Sequence, residues 1–80
     1  MEADATVDAL GMYCPMPIIL TSKKIKELQA GQVLEVNADD EGIKEDMPAW
    51  CRSTGNEFLG IEEHEGEYRA YVRKVSQSPG

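Results

Sequence analysis

Apolar and polar positions change their spacing several times along this chain of 80 residues, and each change marks an element. Residues 6–10 alternate loosely through Val7, Asp8, Ala9 and Leu10 before Gly11 stops them, which predicts a short first strand. Pro15 and Pro17 would break a helix from inside but suit its first turn, where backbone N–H groups have no intrahelical partner. A helix is therefore expected to start at or just after Cys14. Ile18, Thr21, Ile25 and Leu28 then share one mainly apolar face, with Ser22 at its margin, Lys23 and Glu27 opposite, and Lys24 and Lys26 flanking the stripe. Gly31 is the natural stop, and lysines in the later turns suit the negative end of the helix dipole.

Residues 32–38 alternate again, with Leu34, Val36 and Ala38 on one side and Val33, Glu35 and Asn37 on the other, a second strand. The acidic turn Asp39-Asp40-Glu41-Gly42 fits a helix N-terminus, and Asp39 and Asp40 are read as capping residues. Ile43, Met47, Trp50, Cys51 and Thr54 follow at helical spacing, interrupted by Pro48. The simplest arrangement is one turn from about residue 42, a break, and a second start with Asp46 as N-cap, ending at Gly55. Phe58, Leu59 and Ile61 lead to His64, Glu65-Gly66-Glu67 makes a turn, and residues 68–75 alternate, a closing hairpin. The order β-α-β-α-β-β predicts an α+β fold: a two-layer α/β sandwich, a four-stranded mixed sheet with two helices on one face. Residues 1–80 read as a single domain with a core at about 6–75, flexible termini and a frayed tail over 76–80.

Composition changes this picture only in its partners. Apolar residues make up 41% and charged residues 29%, a balance that suits a folded core. A net charge of −7 opposes direct binding to nucleic acid. Two basic clusters remain, Lys23, Lys24 and Lys26, and Arg69, Arg73 and Lys74, which either face an acidic protein partner or are solvated; the first cluster is the candidate for partner docking. The longest apolar stretches, such as residues 17–20, fall far short of the ~20 residues that span a membrane. No apolar segment of the secretory kind follows the acidic start, so a cytoplasmic protein is expected.

The candidate chemistry lies at Cys14, the nucleophile. Cys51 shares a stripe with Ile43, Met47 and Trp50 and reads as core packing, with Trp50 as an anchor. Only a thiolate is a good nucleophile, and a helix N-terminus is expected to lower a thiol pKa from its ordinary ~8.5. The N–H groups of Met16 and Ile18 are placed to point at the sulfur, and Pro15 and Pro17 stiffen the turn that presents it. Asp8 either positions the Gly11 turn, repels a competing anion or is an ordinary polar strand residue. His64, the sole histidine, sits in the distal hairpin, so no Cys-His dyad is evident; there is no Cys-x-x-Cys pair and no zinc spacing. No cofactor or metal is expected. A thiolate without base or resolving thiol suits exchange of sulfur with another protein's cysteine.

Val7-Asp8-Ala9-Leu10-Gly11, Cys14-Pro15-Met16-Pro17, Asp39-Asp40 and Asp46-Met47-Pro48-Ala49-Trp50, in this order, resemble the TusA/SirA family of small sulfur carrier proteins. That family's fold is similar to the C-terminal domain of bacterial translation initiation factor three. The resemblance implies that Cys14 accepts sulfur as a persulfide, from a cysteine desulfurase or other donor protein, and passes it to an acceptor protein. Such relays serve tRNA 2-thiolation, molybdenum cofactor work or sulfur oxidation. Gly11, Pro15 and Pro17 are then the supporting motif, and turnover belongs to the partners. Met12 and Tyr13 stand where some relay members carry a basic residue, which leaves the particular relay open. The rival readings are a non-catalytic regulatory or redox-sensing interaction module, and a thiol-disulfide oxidoreductase that uses Cys51.

Overall fold

A computed structural model describes residues 2–75, so the tail expected to fray lies outside the described residues. The element order is β1 (Ala5–Ala9), α1 (Met16–Ile25), β2 (Val33–Ala38), α2 (Ile43–Thr54), β3 (Glu57–His64) and β4 (Glu67–Arg73). The strands form one mixed sheet in the order β1-β2-β4-β3. β1 runs parallel to β2, with Val7 opposite Val36 and Ala9 opposite Ala38, while β4 is antiparallel to both of its neighbours. This is the expected two-layer sandwich.

The alternation of β2 decides which side is covered. Leu34, Val36 and Ala38 are fully buried and align with Val72, Ala70 and Tyr68 of β4, so one sheet face is a continuous apolar floor. Onto it α1 lays Thr21 and Ile25, and α2 lays Ile43, Met47 and Cys51, the last three spaced i, i+4, i+8 and each 2% exposed or less. Fully burying a side chain such as Met47 contributes roughly 1.5–3 kcal/mol. Trp50 packs on this core from its margin, half-buried, rather than as a central anchor.

Both helices depart from the sequence expectation. α1 ends at Ile25, well before Gly31: the N–H groups of Glu27 and Leu28 turn back to Lys24 and Ile25 one residue early, which tightens the chain into a turn. The reason is tertiary. Lys74 Nζ donates to the Leu28 carbonyl and the Gly31 N–H to the Lys74 carbonyl, so the segment is tied to the end of β4 and Leu28 stays buried.

The expected break at Pro48 is absent, and α2 is continuous with Gly42, not Asp46, at its N-cap. Pro48 lies at the sixth helical position, where it removes one donor, the N–H that would reach the Lys44 carbonyl. The apolar triplet Ile43, Met47 and Cys51 spans the proline and holds both halves on the same floor. Gly55 ends α2 in the left-handed region at φ 83°, its N–H donating to the Cys51 carbonyl, as the sequence predicts.

Candidate functional site

Parallel pairing of β1 with β2 puts the segments after both strands at the same edge of the sheet. Ala9 opposite Ala38 brings Leu10 to Cys14 beside Asp39 and Asp40. Both oxygens of Asp39 accept the Gly11 N–H, at 3.0 Å each. Asp40 holds two backbone donors, Cys14 N–H through Oδ2 at 2.8 Å and Gly42 N–H through Oδ1 at 3.0 Å. These N–H groups hold its carboxyl below the ordinary range, Gly42 more than Cys14. Neither aspartate caps α2, whose N-cap is Gly42 with no side-chain cap hydrogen bond: Asp40 ties the turn before α2 to Cys14, and Asp39 serves the cysteine loop. Asp8 accepts the Leu10 N–H at 3.1 Å, which settles its role as a turn former. Gly11, at φ 79°, supplies the left-handed turn that the loop requires.

Cys14 is exposed at the tip of this loop, followed by a cis peptide bond to Pro15. Pro15 is the N-cap of α1 and Pro17 lies in its first turn, where the sequence puts them. The donors expected to face the sulfur are spent elsewhere: Met16 N–H goes to the Tyr13 carbonyl at 2.8 Å and Ile18 N–H to the Pro15 carbonyl at 3.0 Å. The sulfur faces a carboxylate instead. The Cys14 thiol donates to Asp46 Oδ2 at 2.6 Å. That hydrogen bond, then partial desolvation, then the negative charges of Asp46 and Asp40, push the thiol above its ordinary range. The expected lowering by the helix dipole is therefore overturned, because a full carboxylate charge in contact outweighs the partial charge of a helix end.

The other candidate residues separate. Lys23, Lys24 and Lys26 lie at the far end of α1, roughly 10–15 Å along the helix from its start at 1.5 Å per residue, so they do not touch the sulfur. Lys24 pairs with Glu27 at 3.2 Å. The second basic cluster is dispersed, with Arg73 paired to Glu57 at 3.0 Å and Lys74 buried against Leu28 in the segment after α1. His64 ends β3, three strand positions from β1. Cys51 is a free thiol inside the core, 1% exposed, and burial pushes it up to about 11.

Asp46 and the apolar collar were missed from sequence. Tyr13 is 80% exposed, and Leu10, Met16 and Ile19 beside it are also open to solvent. The collar was detectable as apolar residues surrounding the cysteine on a helix face that no core position claims. Asp46 had a weaker signal, an acidic residue next to the buried Met47 on a helix that follows a parallel β-α-β unit.

An exposed cysteine at the start of α1, clamped by the β2–α2 turn of a β-α-β-α-β-β sandwich, defines a class of small thiol-bearing domains. The family model described as Sulfurtransferase TusA matches residues 5–74, and the chain belongs to that family. It is 47% identical over 74 residues to YrkF of Bacillus subtilis strain 168, a match that covers 92% of this chain and 40% of that protein. The chain thus spans about two fifths of the length of YrkF, and the same share of a 35% identical relative from Aquifex aeolicus. The sulfur carrier protein TusA of Pseudomonas entomophila is 44% identical over 71 residues, 89% of each chain. Among solved structures, a SirA-like protein from Desulfitobacterium hafniense superimposes with a TM-score of 0.78 at 27% identity, covering 90% of this chain and 99% of that one.

Proposed function

We propose that this protein is a sulfur carrier that accepts sulfur on Cys14 as a persulfide and hands it to a partner protein. The observation that carries the reading is the presentation of Cys14: an exposed sulfur on a loop pinned by Asp39 and Asp40, with no enclosing cavity at it among the described residues. A sulfur so placed is reachable by a cysteine of another protein, and the exposed Leu10, Tyr13, Met16 and Ile19 offer the apolar contact that such an encounter needs. Membership of the TusA family supports the cargo.

In loading, Cys14 Sγ as thiolate attacks the outer sulfur of a donor persulfide. A new Sγ–S bond forms, the donor's S–S bond breaks, and its electron pair leaves on the donor's own sulfur as a thiolate. Unloading repeats the exchange, with an acceptor thiolate attacking the outer sulfur and Cys14 as leaving group. The donor in this reading is a cysteine desulfurase or another sulfur donor protein, the acceptor a protein of a relay such as tRNA 2-thiolation, molybdenum cofactor work or sulfur oxidation. Lys23, Lys24 and Lys26 are the docking candidates, away from the sulfur on the same helix. Among the described residues no helix is long and apolar enough to cross a membrane, and the cytoplasm is the proposed location.

The rivals fare worse on particular observations. A redox sensor and a carrier both need the Cys14 thiolate, so the raised thiol does not separate them, and membership of the TusA family favours the carrier. A thiol-disulfide pair needs Cys51, which is sealed in the core.

The test is mass spectrometry after incubation with a cysteine desulfurase and cysteine. The protein and Cys51→Ser are expected to gain the mass of one sulfur atom, and Cys14→Ser to gain none. Sulfur retained on Cys14→Ser, or no gain with any donor, overturns the reading.

A further inference from the structure

The carrier reading needs Cys14 to be exposed, and an exposed cysteine is ordinarily open to any electrophile in solution. The structure contains a restraint. Asp46 lies on α2, 32 residues from Cys14, and its Oδ2 accepts the thiol hydrogen at 2.6 Å. The loop that carries the sulfur has its own anchors, Asp39 on Gly11 N–H and Asp40 on Cys14 N–H, so Asp46 is not required to fix the backbone. Asp46 is also free of the capping task that its sequence suggests, because the N-cap of α2 is Gly42. Its carboxylate, on α2 five residues before Cys51, is committed to the sulfur.

We propose that Asp46 is a positioning residue that holds Cys14 as an oriented, hydrogen-bonded thiol between transfers, so that the exposed sulfur stays quiet toward small electrophiles. This deepens the carrier reading and takes its purpose from it. The charged groups that face the sulfur are Asp46 from α2 and Asp40 from the β2–α2 turn, both negative; the first turn of α1 carries no acidic residue, and its lysines lie at the opposite end. Both facing charges therefore act in the same direction, favouring the thiol over the thiolate.

The experiment is the rate of Cys14 alkylation by iodoacetamide as a function of pH, in the Cys51→Ser background. Asp46→Asn removes the negative charge that favours the thiol, and is expected to move the midpoint of the profile to lower pH, raising the rate near neutrality several-fold. Asp46→Glu is expected to stay close to the parent midpoint. A loop merely loosened by the substitution changes the rate at every pH and leaves the midpoint in place. An Asp46→Asn profile with the parent midpoint overturns the inference, and so does an Asp46→Glu profile that follows Asp46→Asn. Because iodoacetamide carries no sulfur, these outcomes are independent of the desulfurase test: either proposal can fail while the other stands.

Discussion

At the scale of single residues, the two cysteines differ in what surrounds them, and each difference has a measurable sign. Cys51 is buried, which raises its thiol to about 11. In the unfolded chain it ionises near its ordinary ~8.5. Above that pH the unfolded state has lost a proton that the folded state retains, so stability falls as pH rises. With Cys14 replaced by Ser, the unfolding free energy is expected to decline by on the order of 3 kcal/mol between the ordinary thiol range and about pH 11. Urea melts at several pH values check this, and a stability flat through that window refutes it. Cys14 also titrates upward but for another reason, since its cause is a named carboxylate rather than the core. Cys14 was legible as the residue that a stiff loop presents at a helix start, from Gly11, Pro15 and Pro17. Its protonation state was not, because Asp46 is 32 residues away and local reasoning sees only the helix dipole.

At the scale of elements, the sheet, the start of α1 and the Gly55 stop were legible, whereas the end of α1 and the continuity of α2 were not. Period-two alternation in residues 32–38 depends on neighbours in sequence, so β2 could be read directly. The extent of α1 depends on Lys74 reaching Leu28, a contact across 46 residues, and the continuity of α2 depends on the floor beneath it. Pro48 gives a test of that second point. Pro48→Ala restores the N–H that can bond the Lys44 carbonyl, in a helix already held by Ile43, Met47 and Cys51. It is expected to raise the unfolding free energy by about 1–3 kcal/mol. A loss of stability in a denaturant melt instead means that α2 depends on the proline's geometry. Gly55 works the other way. A Cβ there meets nothing within 4 Å, so only the left-handed backbone at φ 83° opposes a side chain. Gly55→Ala is expected to cost about 1 kcal/mol, and a neutral result in the same melt contradicts the strain argument.

At the scale of the whole molecule, the site belongs to the topology. The parallel β1–β2 pair brings two loops to one sheet edge, and Asp40 joins them by accepting Cys14 N–H and Gly42 N–H together. These contacts hold its carboxyl below the ordinary range, so the stability they provide is present above that range and is lost as pH falls through the lowered value. The amide resonances of Cys14 and Gly42 are therefore expected to move together, in one titration lying below the ordinary carboxylate range. Independent movement of the two, or a midpoint at the ordinary value, refutes the shared anchor. The order of elements was enough to predict a β-α-β unit, and in such a unit the loop leaving β1 meets the loop leaving β2. Which side chains meet there was not implied, since acidic residues at a helix start are equally well explained by the helix itself.

The Cys14–Asp46 hydrogen bond joins α2 to the loop that opens α1, and it exists only when both helices are seated on the sheet. The sulfur therefore registers folding. In a denaturant series the thiol loses its carboxylate neighbour as the helices leave the sheet and returns to the reactivity of a free cysteine. The exposed sulfur thus carries a signature of the intact domain, available to any thiol probe without a label.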